Sequence, residues 1–586
     1  MALPLVSSGL VSRIDKFFLL GLFLLALLFA CAVVLPNAVQ RIDGQYPFQG
    51  IEMMATDAET YYAVRFREIL DGHPRLGNAY LSAPKDQPAI QPPIPEWTLA
   101  TISRLTPFNP ALDFILLKGL CAFAVFLIAF LFANAITSRR CESLAAVTVM
   151  LFAAAAFSAP WNLLDVISSG SFAVFGWLRF ARPVNPLWTM MWVYLTIYFL
   201  SKWVRKADVV WIVLAACTTS FVLYAYFYAW TYLLTVVGLL FLWYAWHKDT
   251  KRLLHILLFF GIFVLLGSIY FMNLAELTQH PWYLETSRRQ GLVPSRELVF
   301  GAWMIALILL AIVGRRIAWK EQWPLVLALA FAGLIAMNQQ LITGQHLFPE
   351  HYHWYFVQPL GTLCMTLLVL QLCRAWLRAG LYRGLLMITV LLSVMFGFMQ
   401  QRDSYGTYRA EWGRKQVYAP VFAFVEKNLP PDSVVHSLDD SLVALLPVYT
   451  SMNVYTSSQM LNFLASTERL RDSFFFTLWL KGLTPEDART EFPTTMRWMV
   501  GSNIYASYYR ELRGGYDALP DELIDRHIKD YEQYYALSFE EKMKMYPLDY
   551  VIATPMDNKT VEYQRLLEGG TDIYSTGGYR VVAIKK

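Results

Sequence analysis

Charge is scarce in this sequence. Asp, Glu, Lys and Arg make up 16% of the 586 residues, where an ordinary globular chain carries about a quarter. A soluble fold could not hide the 56% that is apolar, so the composition points to a bilayer as the solvent. Cysteine is nearly absent. Cys31, Cys121, Cys141, Cys217, Cys364 and Cys373 fall in apolar runs or beside their ends, and none lies in 37–110 or 401–586. That pattern excludes a disulfide framework, and the lack of CxxC excludes a thiolate zinc site. There is no HExxH, no repeat of solenoid period and no low-complexity tract. The net charge of +5 is spread over short loops without a basic stripe, which excludes a nucleic-acid face.

What is present is a series of apolar runs, each long enough to cross about 30 Å of hydrocarbon. They lie at 17–36, 111–136, 143–159, 187–201, 208–229, 231–246, 253–274, 298–314, 324–342, 355–373 and 384–400. The first follows Arg13 and Lys16 and continues to Pro36. That is longer than a signal-peptide core and reads as an uncleaved helix. Alternate loops carry Arg139–Arg140, Lys202 to Lys206, Lys248 to Arg252, Arg315 to Lys320 and Arg374 to Arg383. By the positive-inside rule these loops and the N-terminus are cytoplasmic. Residues 37–110 then form a large outer loop, and an odd number of spans puts 401–586 outside as well. The tail differs in kind. Short β-rich runs at Ser433–His436, Val448–Tyr455, Tyr550–Ala553 and Tyr579–Ile584 alternate with charged helical stretches. The expected organisation is a helical polytopic membrane protein of about eleven spans over 1–400. A soluble extracytoplasmic α/β domain over 401–586 completes it.

The first outer loop is the most informative stretch. It reads Thr56-Asp57-Ala58-Glu59-Thr60-Tyr61-Tyr62, then Ala63 to Leu70. Tyr62, Phe66, Ile69 and Leu70 share one helical face. The spacing predicts an amphipathic helix along the membrane surface, with Arg65 and Arg67 near the headgroups. Asp57 is either its N-cap or a chemical carboxylate. The loop closes on Gln91-Pro92-Pro93-Ile94-Pro95-Glu96-Trp97, whose prolines set the return to the bilayer. Glu96 reads as an interfacial capping group or as part of a site. In the second outer loop, Asp165 lies at expected membrane depth, so it pairs with Arg179 or Arg182 or meets a metal or acceptor. His346, Glu350, His351 and His353 lie within eight residues and read as a divalent-ion site or as polar interfacial groups. Arg288 and Arg289 break the charge rule and match phosphate oxygens, or belong to a solvated loop.

A multispanning core, a long first outer loop opening on an acidic triplet, and an outer C-terminal domain together resemble the GT-C superfamily of lipid-linked-sugar glycosyltransferases. Protein O-mannosyltransferases, aminoarabinose transferases and, more distantly, oligosaccharyltransferases belong to it. Asp57-Ala58-Glu59 with Tyr61-Tyr62-Ala63 and Arg67-Glu68 is similar to the family's first-loop motif. Gln91-Pro92-Pro93 with Trp97 is similar to the proline-rich entry to the second span in the aminoarabinose branch. Ile90-Gln91 stands where that branch has Glu-Lys, leaving Asp86 and Glu96 for the acidic role. A lone Asp165 replaces the second-loop DxD, and no WWDYG-like motif occurs in 401–586.

The resemblance implies a polyprenyl-phosphate-linked sugar donor and a lipid, glycan or protein acceptor at the outer face of the inner (plasma) membrane. It implies transfer with inversion, with Asp57 and Glu59 as the catalytic carboxylates and Asp86, Glu96 and Asp165 in support. Arg65, Arg179, Arg182, Arg288 and Arg289 would meet the donor phosphate. A divalent metal, Mg²⁺ or Mn²⁺, is left open, with Asp57, Asp165, His346, Glu350, His351 and His353 as its candidate ligands. Two other readings stand beside this one: a transporter or flippase of lipid-linked glycans, and a non-catalytic membrane assembly protein.

Overall fold

The computed structural model describes residues 13–56, 59–82, 85–106, 108–317, 319–513, 515, 519–557 and 560–585. Among these, six helices are long and apolar enough to cross a membrane. They are Lys16–Ile42, Pro110–Thr137, Phe227–Trp246, Trp323–Thr343, Pro349–Trp376 and Ala379–Asn428. The pair Thr250–Leu266 and Ser268–Gln279, bent by 57°, makes a seventh if counted as one span. The protein is an integral multi-pass membrane protein. The expected runs at 143–159, 208–229 and 298–314 fall instead on shorter helices, Arg140–Phe152, Val209–Leu223 and Ala302–Val313. The first of these stops because Ala153 leaves helical geometry at φ −131° and ψ 11°. The 57° bend is built around Gly267. A Cβ there would meet Leu223 Cδ2 and the Phe263 carbonyl oxygen at 2.7 Å. The Tyr224 hydroxyl donates to the Leu266 carbonyl at 2.7 Å and accepts from the Tyr270 N–H at 3.2 Å. A side chain inserted into the backbone ladder is a recognised cause of such a kink.

The helix Arg13–Ile42 packs on Pro110–Thr137 and on Ala379–Arg414. Pro110–Thr137 packs in turn on Thr189–Lys206, and Phe227–Trp246 on Trp323–Met337. The helix Ala379–Arg414 runs unbroken across residue 400. Residues 401 onward thus begin as a rigid continuation of the last apolar run.

The first-loop helix forms where expected, over Glu59–Leu70, but it does not lie on a surface. Nine of its twelve residues are buried, Arg65 and Arg67 among them. It packs against the helices Ile94–Ser103, Pro110–Thr137 and Asp440–Tyr449. Each charge that the amphipathic reading assigned to headgroups is instead met by protein. Arg67 pairs with Asp71 at 2.8 Å and Glu426 at 2.6 Å.

The C-terminal part carries a five-stranded sheet in the order Asn453–Val454, Val434–His436, Tyr550–Ala553, Tyr579–Ile584, Gly570–Thr576. The first three strands are parallel and the last two join antiparallel. The expected strand at 448–455 shrinks to two residues, because Val448 and Tyr449 finish the helix Asp440–Tyr449. The strand Gly570–Thr576 was not expected. Its hairpin closes on Gly577 and Gly578, at φ +62° and +82°, the left-handed pair that a tight two-residue hairpin turn favours.

His436 lies fully buried on the central parallel strand, against the rings of Tyr455 and Phe476. Neither ring nitrogen has a hydrogen-bond partner. Burial, with a smaller push from Lys481, lowers its pKa to about 3. The unfolded chain takes up this proton near pH 6.5 and the folded chain does not. Stability is therefore whole above pH 6.5 and falls by about 1.4 kcal/mol per pH unit below it. Thermal melts at pH 7.5 and 5.5 should show wild type losing stability and His436→Phe losing visibly less. Equal losses would remove His436 as a source of acid sensitivity.

Candidate functional site

The C-terminal end of the first span holds the chain that leads into the first-loop helix. Gln40 donates to the Ile51 carbonyl at 3.0 Å and accepts from the Met53 N–H at 2.8 Å. Asn37 donates to the Met53 carbonyl at 3.0 Å. Residues 51–56 are thereby tied to the bilayer edge. Asp57, the carboxylate singled out by the sequence, lies outside the described residues.

Glu59 opens the helix and is buried. One carboxylate oxygen accepts from Lys118 Nζ at 2.5 Å. The other accepts from Thr56 through its hydroxyl at 2.6 Å and its N–H at 3.2 Å. Lys118 is itself buried, on the span Pro110–Thr137. A small cavity adjoins this pair, lined in part by Asn37, Trp177 and Gln401, and the buried Trp177 indole N–H has no partner.

One turn on, the Tyr62 hydroxyl accepts from Asn185 Nδ2 at 2.9 Å, and burial lifts its phenol to about 12. The Arg182 guanidinium lies 5.7 Å from the Tyr62 ring and donates to the Tyr355 hydroxyl at 2.8 Å. Arg179 stacks 3.8 Å over Trp354. Burial lowers Arg179 to about 10, so it stays charged at neutral pH. His351 is hydrogen-bonded to Tyr226 and packed among Tyr228, Phe348 and Tyr355. Arg182, held by aromatic rings beside the first-loop helix, presents the donor geometry that phosphate oxygens match, and Arg179 stands three residues before it.

Arg65 links the two halves of the loop. Its Nε donates to Glu96 at 2.6 Å, Nη2 to the Gln91 carbonyl at 2.9 Å and Nη1 to the Tyr61 hydroxyl at 3.2 Å. Burial opposes its charge, but the Glu96 carboxylate more than offsets this and raises its pKa. The second oxygen of Glu96 is buried without a partner. Arg65 is thus occupied by Glu96 and Gln91 rather than presented to a ligand. The proline-rich return of the loop is anchored by this ion pair as well as by its prolines.

Other expected residues do not converge here. Asp165 sits on an exposed short helix, Asn162–Ser169, and neither Arg179 nor Arg182 pairs with it. Asp86 is exposed. Arg288 is exposed and lies 5.6 Å from the Tyr508 ring. Arg289 is buried, bonded to Thr467 at 3.1 Å, to Thr286 at 2.8 Å and to the Ala465 carbonyl. Burial lowers Arg289 to about 10. It docks the segment Tyr283–Arg289 onto the C-terminal part. The candidate metal ligands are also dispersed. His346 pairs in a two-residue strand with Val293, Glu350 is exposed, and His353 contacts Trp354. Among the described residues no group of three or more His, Cys, Asp or Glu could hold a metal ion. Asp57, also a candidate ligand, lies outside the described residues.

Sequence reasoning missed the partners more than the carboxylates. Lys118 carried a signal, since a lone lysine inside an apolar run demands a counter-charge. Asn185, Tyr226 and Tyr355 carried none, being ordinary residues of aromatic-rich segments.

No family model and no curated protein matches the sequence. Solved structures do show likenesses. ArnT from Cupriavidus metallidurans bound to undecaprenyl phosphate shares 12% identity at a TM-score of 0.46, over 98% of both chains. The apo form of that protein matches over the same shares at 12% identity and a TM-score of 0.48. The archaeal oligosaccharyltransferase AglB from Archaeoglobus fulgidus, in complex with an inhibitory peptide and a dolichol-phosphate, shares 11% identity at a TM-score of 0.44. That match covers 98% of this chain and 75% of AglB. No residue role and no ligand passes from these likenesses to this chain.

Proposed function

We propose that this protein is a membrane glycosyltransferase that moves a sugar from a polyprenyl-phosphate carrier to an acceptor at the outer face of the membrane. What supports the reading is the first-loop helix, which starts at Glu59 of the acidic motif and is buried against the span Pro110–Thr137 beside Arg182. The acceptor hydroxyl attacks the anomeric carbon, its proton passes to Asp57, and the bond from that carbon to the carrier phosphate breaks, inverting the centre. A carboxylate suits the task because it accepts a proton and its charge complements the developing oxocarbenium ion. Arg182 and Arg179 neutralise the departing phosphate. Glu59, fixed by Lys118 and Thr56, holds the start of the helix and hence the carboxylate two residues before it. In this reading 1–400 form the membrane domain and 401–586 an extracytoplasmic domain, with the N-terminus cytoplasmic.

The decisive test is transfer in membranes from a panel of polyprenyl-phosphate sugars. Asp57→Asn should lower turnover about 10²- to 10⁴-fold at unchanged protein abundance. Unchanged turnover would remove Asp57 from the chemistry. Movement of the carrier across the bilayer without a new glycosidic bond would overturn the transferase reading itself.

A further inference from the structure

A second cavity, of about 350 Å³, is lined in part by residues that flank the acidic motif in sequence. Its walls come from three separate parts of the chain. Ala55 and Thr60 belong to the first loop and flank positions 57 and 58. Tyr408 and Glu411 sit on the outer end of the helix Ala379–Arg414, with Lys415 just beyond. Asp440 and Ser441 begin the helix Asp440–Tyr449. The cavity therefore exists only because the last long helix continues past the apolar run and meets the C-terminal part above the first loop.

The chemistry of the walls selects a ligand class. The cavity holds one basic side chain, Lys415, and it is engaged. It bonds Glu411 at 2.6 Å and lies 4.1 Å over the Trp412 ring. Asp440, in contrast, stands exposed at the cavity wall. Two carboxylates against one paired ammonium disfavour a phosphate or any other anion. Thr60 and Ser441 add hydroxyls that both donate and accept. The exposed Tyr408 ring is backed by Trp177, stacked at 5.5 Å with 24° between planes, so one face is fixed and the other is available. An aromatic face with carboxylates and hydroxyls around it recognises neutral rings rich in hydroxyl groups. The volume lies at the low end of small-molecule sites and suits one or two sugar rings.

We infer that this cleft binds a neutral sugar residue, and that it is the acceptor subsite. The second half of the statement rests on the function proposed above; the first half rests on the cleft alone. In that reading Arg182 meets the carrier phosphate, and Tyr408 and Asp440 meet the acceptor sugar.

The test uses the full chain in lipid nanodiscs with methyl glucoside, methyl mannoside, methyl galactoside and maltose, read by saturation-transfer NMR. At least one of these should receive saturation from wild type. Asp440→Asn should weaken that binding about tenfold, the effect of one hydrogen bond to a charged group. Ser441→Trp, which fills the cleft from a solvent-exposed position, should abolish it. Both variants should keep the wild-type melting temperature and the wild-type binding of undecaprenyl phosphate. The inference falls if no glycoside binds wild type, if both variants bind the glycosides as wild type does, or if glucuronate or inorganic phosphate binds the cleft better than the neutral sugars. If the neutral sugars bind and the variants lose them, yet no donor supports transfer, the sugar site stands and the transferase reading falls instead.

Discussion

Lys118→Met will strip the protein of most of its folded yield, and adding Glu59→Gln will restore much of it. The pair is buried on both sides, at 2.5 Å. Its Coulomb attraction does little more than offset the cost of taking two charges out of water. Removing one partner is a different matter. The Glu59 carboxylate would keep the Thr56 hydroxyl and N–H but would sit as an uncompensated charge at the edge of a span. Such a change costs about 3–5 kcal/mol, a large share of an ordinary domain's 5–15 kcal/mol. With Glu59→Gln the charge goes, and the amide keeps an acceptor for Thr56. The double variant should therefore recover more than half of the lost melting temperature, measured by thermal unfolding in detergent. If Lys118→Met alone is as stable as wild type, or if the second change adds its own loss on top, the two groups are not coupled and the account of the helix start is wrong.

Arg182→Gln is the second large effect, and it should appear in chemistry rather than in folding. Arg182 is partly accessible, rests near the Tyr62 ring and donates to Tyr355. In the proposed reaction it faces the phosphate whose charge grows as the glycosidic bond breaks. A preorganised donor in that position contributes about 10²- to 10³-fold. Transfer rate per folded molecule should fall by that factor, measured with the amount of folded protein fixed by its melting transition. The control is Arg288→Gln, an exposed arginine whose ring partner is Tyr508, which should leave transfer unchanged. Equal effects from the two variants would make the role of Arg182 general electrostatics rather than direct contact.

The elements that the sequence disclosed are those set by short stretches. The first-loop helix was expected from Tyr62, Phe66, Ile69 and Leu70 on one face and forms over Glu59–Leu70. The strands Val434–His436, Tyr550–Ala553 and Tyr579–Ile584 were expected nearly at their observed bounds. The environment of the same helix was misread. An apolar face with arginines beside it fits a membrane surface and a protein interior equally well. Only Glu96, thirty-one positions from Arg65, and Glu426, still further along the chain, decide between them. The grouping of the histidine cluster met a related limit. Proximity in sequence brought His346, Glu350, His351 and His353 together on paper, whereas the helix Pro349–Tyr352 and its neighbours turn them toward different partners.

A bilayer protein was legible without coordinates, because hydropathy is a sum over neighbouring residues and survives any arrangement of the spans. Which carboxylate is answered by which cation was not. Those pairings, Lys118 with Glu59 and Arg65 with Glu96, join groups that meet only once the spans and the loop have packed. In a low-dielectric interior that meeting determines whether a charge is paired or stranded.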